Sequence, residues 1–251
     1  MSIAENYKHL RLEIPDNVAI VLAAKHRTTQ EVAEAIEAGA DNIGENYVQE
    51  AGLMFSDLKK EATKVKWHMI GHLQTNKISK ALRIFDVIQT VDSLEQAEAI
   101  NDRVIKAKKQ IMPVFIEINI GSEYSKAGIR PNEHEPFENY MENFIRDISR
   151  LGYVQIEGVM TMGPRFGNPE NLRPYFRRTR IIFDRIKCLN LPNVNMKYLS
   201  MGMTNSYKVA IEEGSNMVRI GTAVFGERPS CKTEQAQSIS AISKSIRGKL
   251  S

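Results

Sequence analysis

The stretch VAIVLAAKHRTTQEVAEAIEAG, residues 18–39, decides the fold. Its first seven residues, VAIVLAA (18–24), are all apolar, so both faces of any strand they form need cover. That is the signature of a strand in a parallel sheet flanked by helices. Thr28 and Thr29 then introduce EVAEAIEAG, an alanine-rich segment of helical pattern closed by Gly39. The unit is a strand, a short polar turn and a helix.

The same unit recurs along the chain. Strands are expected at 42–45, 66–71 (KWHMIG), 87–91, 113–119, 154–160, 196–200 and 217–220. Helices are expected at 47–60, 76–83, 94–109, 135–150, 170–187 and 206–213. Ser93 is placed to cap the helix at 94–109, with Gln96 three residues on as in a capping box. Pro113 opens the fifth strand, where a missing donor is tolerated. Eight such units predict an α/β fold, a single (β/α)8 TIM-type barrel. An open doubly wound sheet usually carries a glycine-rich turn after its first strand, where this chain has AAKHRTT (23–29). The Gly/Pro-rich segment 163–169 is too short to join two domains, so residues 1–251 are expected to be one domain. A helix is expected before residue 18 and a polar helix after residue 229.

Bulk properties agree with this reading. A chain of 251 residues can bury a large core without metal or disulfide. Its net charge of +4 is a mild excess. The densest basic clusters, Lys106–Lys108–Lys109 and Arg173–Arg177–Arg178–Arg180, fall in expected helices and read as solvated faces. No RNA-reading motif or zinc finger accompanies them, so no nucleic-acid partner is expected. Cys188 and Cys231 form no CxxC pair, which argues against a structural zinc and for a reducing compartment. The first twelve residues are polar and no apolar run approaches a membrane span, so a soluble cytoplasmic protein is expected.

In a barrel, the residues after each strand build the functional mouth. Lys25 follows the first strand: it either ends the strand as a charge at solvent or serves as an amine made reactive by partial desolvation. In GENYVQE (44–50), Gly44 allows close backbone approach and Glu45, Asn46 and Gln49 offer polar groups to a ligand, or Asn46 caps the next helix. WHMIGHLQTNK (67–77) holds His68 and His72 four apart, a metal spacing only on a helix; here a strand and Gly71 intervene, so no metal is expected and His72 is read as part of a ligand wall or a hydrogen-bond network. Lys126 in NIGSEYSKAG (119–128) is a second amine near the mouth or a surface lysine. The richest cluster is SMGM (200–203) with RIGT (219–222). Ser200, Gly202, Gly221 and Thr222 supply hydroxyls and tight turns for an anion nest, the position where barrels often hold phosphate. A helix starting near Ser206 would turn its positive end toward it. Arg219 either reaches the ligand or pairs with an inward carboxylate. The ligand so outlined has a phosphate at one end and a carbonyl at the other, which fits pyridoxal 5'-phosphate (PLP) and also sugar phosphates.

Lys25 after its apolar strand, GENYVQE, WHMIGHLQTNK, NIGSEYSKAG, GVMTM (158–162), SMGM and GSNMVRIGTAVFG (214–226) together closely resemble the YggS/PROSC family of pyridoxal phosphate homeostasis proteins. The resemblance covers residues 18–226. It implies a fold-type III PLP barrel like the N-terminal domain of alanine racemase, without that enzyme's second domain. It implies that Lys25 carries PLP as an internal aldimine, Asn46 lies near the cofactor, Ser200, Gly202, Gly221 and Thr222 hold the phosphate, and Arg219 faces the pyridine nitrogen. It also implies a monomeric PLP carrier or buffer serving recipient PLP enzymes, with no established amino-acid turnover. The alternative is a fold-type III racemase or lyase of narrow specificity. Racemisation needs a second base opposite Lys25, and nothing in the sequence places Tyr47 or Tyr207 there. Two departures stand out: His26–Arg27 follow Lys25 where small residues or apolar-polar pairs such as Thr-Lys are usual, and Ser206 replaces the acid usual after SMGM.

Overall fold

The computed structural model describes residues 1–131, 135–164 and 166–227. Eight parallel strands close into a barrel in chain order, the last pairing with the first. They are β1 (Ala19–Ala23), β2 (Asn42–Glu45), β3 (Lys66–Met69), β4 (Val87–Val91), β5 (Met112–Glu117), β6 (Val154–Thr161), β7 (Val194–Met203) and β8 (Met217–Ile220). The register sets Leu22 beside Ile43 on one flank and Val21 beside Arg219 on the other. The helices are α1 (Ile3–Glu13), α2 (Thr29–Glu37), α3 (Val48–Leu58), α4 (Ile78–Ala81), α5 (Leu94–Lys106), α6 (Phe137–Ile148), α7 (Arg173–Cys188), α8 (Tyr207–Glu212) and α9 (Thr222–Phe225).

Local chemistry explains where these elements start and stop. Thr28 caps α2 through a reciprocal capping box with Glu31, and Gly39 follows it at φ 105. Ser93 accepts the Gln96 N–H as expected, but the Gln96 side chain turns to the Asp92 N–H and the Leu73 carbonyl, so the box is half formed. The helix expected at 76–83 is a 3₁₀ turn (Thr75–Lys77) running into the single turn of α4. Strand β7 extends beyond the expected 196–200 at both ends, and its register against β8 shifts between Ser200 and Met203. The helix expected after residue 229 and Cys231 lie outside the described residues.

The core has two shells. Outward-facing strand residues such as Ile20, Leu22, Ile43 and Leu199 pack against the helices, with Trp67 donating to the Ala62 carbonyl. Inside the barrel, Val21, Val87, Phe115, Met160 and Met217 form a separate plug, with Tyr198 packed on it. The basic cluster Arg173–Arg177–Arg178–Arg180 of α7 is ion-paired: Arg173 and Arg177 with Glu213, Arg178 with Glu138, and Arg180 with Asp184. Among the described residues, no helix is long and apolar enough to cross a membrane.

Candidate functional site

Lys25 sits in the turn just past β1, half-buried. The Ala24 N–H donates to the Gly44 carbonyl, fixing this turn against the end of β2. The Lys25 amine lies 4.9 Å from the centre of the Tyr47 ring, a cation–π distance. Among the described residues it makes no hydrogen bond or ion pair. The two residues that departed from the family pattern shape this turn. His26 takes a positive φ of 60 and faces Glu50 at 3.4 Å. Arg27 is buried and donates to the Phe225 and Gly226 carbonyls, tying the β1 turn to the far end of α9. Arg27 therefore fixes Lys25 relative to Gly221 and Thr222, a role that sequence reading missed.

Asn46 follows β2 and is half-buried. Gly71 lets it approach: a Cβ there would lie 2.4 Å from the Asn46 carbonyl oxygen, so no larger residue fits without moving backbone. His72 is exposed and lines a groove with Asn46, Tyr47 and Gln49 instead of walling the barrel interior. His68 lies inside the barrel, so the two histidines diverge.

At the ends of β7 and β8 the expected residues split into two groups. Gly221 and Thr222 open α9 at the rim, beside Ala23 of β1. The hydroxyl that reaches them is that of Thr204, which accepts from the Gly221 N–H at 3.3 Å. Ser200 is fully buried with its hydroxyl turned into the barrel, where it donates to Gln89 Oε1 at 2.8 Å and accepts from Arg219 at 2.7 Å. Gly202 has φ 95, and a Cβ there would meet Ala210 at 2.6 Å; it seats the β7 turn on α8. Ser206 turns back to accept from the Met203 N–H at 3.1 Å. Lys126 is not a free amine: it donates to the Gly163 carbonyl at 2.7 Å and pairs with Glu123, pinning the loop after β5 to that after β6.

Arg219 is the buried cation of the site. It donates to the Ser200 carbonyl and hydroxyl and to the Thr161 carbonyl. Burial pushes its pKa down to about 10, and Glu117 opposes the shift, so it stays charged at neutral pH. No carboxylate is hydrogen-bonded to it among the described residues. A guanidinium carries five N–H donors, so at least one remains for a ligand acceptor.

Two buried carboxyls lie in the barrel wall: Glu45, expected as a polar group toward a ligand, and Glu117, which escaped the sequence reading. Burial, reinforced by Asp92, raises the Glu117 pKa to about 7, with Arg219 opposing, and its Oε2 has no hydrogen-bond partner among the described residues. Burial and then Glu50 raise Glu45 to about 7, with the Asn46 N–H and Lys25 opposing; its Oε1 likewise has no hydrogen-bond partner among the described residues. Strand alternation alone placed Glu117 on the same face as Phe115, the one signal available for it. The tyrosines are also accounted for. Tyr207 donates to Glu13 at 2.6 Å, and burial with Glu13 raises its pKa to about 12. Tyr47 lies on the Lys25 amine itself.

A closed parallel barrel with a strand-one lysine and a strand-eight arginine defines the class of the alanine racemase N-terminal domain, and the family model of that description matches residues 1–229. The alanine racemase of Clostridium difficile 630 shares the fold, with a TM-score of 0.73 at 17% identity over 92% of this chain and 58% of that one. PipY of Synechococcus elongatus PCC7942, solved with PLP bound, superposes with a TM-score of 0.80 at 28% identity, covering 90% of this chain and 100% of PipY. The pyridoxal phosphate homeostasis protein of Aquifex aeolicus is 39% identical over 215 residues, 85% of this chain and 89% of its own length. This chain belongs to the family of pyridoxal phosphate homeostasis proteins.

Proposed function

We propose that this protein holds PLP through Lys25 at the C-terminal mouth of the barrel, and stores, delivers or buffers it for recipient PLP enzymes. The observation that carries the proposal is the Lys25 amine: half-buried, without a hydrogen bond or ion pair among the described residues, and set against the Tyr47 ring just past the end of β1. When bound, PLP supplies a carbonyl carbon that an amine can hold and a ring that withdraws electrons. Thr222, Gly221 and Thr204 are suited to its phosphate by their position at the start of α9, where helix N–H groups lack internal partners. Gly202 keeps the neighbouring turn compact. Ser200 contributes by holding Arg219 instead of presenting its hydroxyl to phosphate.

Arg219 fits a ring-nitrogen partner because it is a donor that stays protonated. It leaves the facing acceptor without a proton, which weakens electron withdrawal by the ring. Of the two tyrosines weighed as an opposing base, Tyr207 is held by Glu13 and Tyr47 lies against Lys25. Holding, not racemising, is therefore the reading favoured, and the similarity to PLP-loaded PipY supports it. The protein is expected to act in the cytoplasm as a one-domain monomer; light scattering that gave a dimer mass would overturn the monomer.

The deciding measurement is the visible spectrum of protein mixed with PLP. A protein-bound band should form with the native chain and be absent from Lys25→Ala. A band that survives the substitution assigns the covalent link elsewhere.

A further inference from the structure

A chain of hydrogen bonds runs down the barrel from Arg219 to its opposite end. Arg219 Nη1 donates to Ser200 Oγ at 2.7 Å, and the Ser200 hydroxyl donates to Gln89 Oε1 at 2.8 Å. Gln89 Nε2 lies 2.9 Å from His68 Nδ1, and His68 Nε2 lies 3.0 Å from Asn42 Oδ1. Asn42 Nδ2 donates to Asp41 Oδ1 at 2.7 Å. The ends fix the direction. An arginine can only donate and a carboxylate can only accept. With Gln89 giving its amide protons to Nδ1, His68 must carry its single proton on Nε2. Every donor then points away from Arg219 toward Asp41. His68, Gln89 and Ser200 are buried, and burial keeps His68 neutral, as this direction requires. Asp41 and Asn42 line a cleft of about 730 Å³ at the N-terminal end of the barrel, remote from Lys25.

The arrangement answers a physical question left by the site. A buried cation without a hydrogen-bonded carboxylate is costly. Here the oxygen ends of the aligned groups face Arg219, and the last member is an anion at the solvent-facing end. Aligned hydrogen bonds polarise one another. The chain therefore spreads countercharge for Arg219 along the axis and fixes the plane of its guanidinium.

We infer that Gln89 and His68 are positioning residues for Arg219, holding its guanidinium toward the ligand through this one-way chain. The inference rests on the PLP-binding reading above, because its effect is on how Arg219 meets that ligand. When Arg219 gives a remaining N–H to a ligand acceptor, the charge on Nη1 changes and the pull on Ser200 changes with it. The change passes through Gln89 to the His68 ring.

The test uses nitrogen-15 spectra of the histidine rings, tractable because the chain has five histidines. In the native protein His68 should appear as a neutral ring protonated on Nε2, and both its nitrogens should move when PLP is added. Gln89→Met keeps the length of the side chain and removes the relay. It should leave the His68 nitrogens unmoved by PLP and weaken PLP binding about tenfold, as expected for a perturbed hydrogen bond to a charged group. Native His68 nitrogens that ignore PLP, or a ring protonated on Nδ1, would overturn the inference without any variant. So would a Gln89→Met protein that binds PLP as tightly as the native chain. Absence of a Lys25-dependent visible band in the native protein would instead overturn the PLP-binding reading.

Discussion

Replacing Glu45 with glutamine should stabilise the ligand-free protein at about pH 8 and leave it nearly unchanged at about pH 4.5. The Glu45 carboxyl is buried, its Oε1 has no hydrogen-bond partner among the described residues, and its pKa is raised from 4.5 to about 7, first by burial and then by Glu50. In the unfolded chain it returns to the ordinary value. Between those two values the folded state keeps a proton that the unfolded state releases, so stability falls as pH rises through that window and levels off above it. The gap from 4.5 to about 7, at about 1.36 kcal/mol per pH unit, amounts to about 3 kcal/mol. Glutamine carries no charge at any pH and keeps an acceptor for the Asn46 N–H, which lies 3.3 Å from Oε2. For a domain of this size the difference corresponds to roughly 6–12 °C in Tm. Thermal unfolding of both proteins across this pH range is the assay. The Tm advantage of Glu45→Gln should open between about pH 4.5 and 7 and then stay constant. A gap independent of pH, or a variant less stable at high pH, would refute the reasoning that Glu45 is a charge held in an apolar setting.

Other substitutions probe the frame of the mouth. Gly71→Ala sets a methyl 2.4 Å from the Asn46 carbonyl and should cost about 1–3 kcal/mol of stability, measured by urea unfolding, together with weaker PLP retention. Arg27→Met preserves bulk but frees the Phe225 and Gly226 carbonyls; a loss of about 2–3 kcal/mol and weaker PLP binding are expected, and unchanged values would show that the clamp is dispensable. A panel of L- and D-amino acids incubated with PLP-loaded protein should show no turnover at ordinary enzymatic rates, and conversion of any one would favour the racemase or lyase alternative.

Much of the barrel was legible because both strand faces and the helix faces carry regular apolar patterns. β2, β4 and β8 fall at the bounds expected for them, and Lys25 follows from the end of β1. The discrepancies arise where the determinant is not local. The extension of β7 depends on its pairing with β6, including Tyr198 against Gly158, where a Cβ would meet the Tyr198 carbonyl oxygen at 2.1 Å. Ser200 and Thr204 are both hydroxyls after an apolar run, and only the turn between them decides which one faces Gly221. The axial chain was hidden for the same reason. Alternation can point Asn42, His68, Gln89 and Ser200 inward, but partners contributed by four strands are set by barrel closure.

The closure of the sheet also bears on how long a ligand stays. Each strand is paired on both sides, so the wall around Lys25 has no seam to open, and the rigid floor beneath it is the Val21–Phe115–Met217 plug. Among the described residues, no second body stands over the mouth to swing aside. If Lys25 holds the ligand as proposed, residence time is governed by chemistry at its nitrogen and by the side chain of Tyr47, 45% exposed beside it. A recipient with an amine of its own would speed departure by reaching that nitrogen's partner directly, so release should accelerate with acceptor concentration and not with agents that loosen the fold.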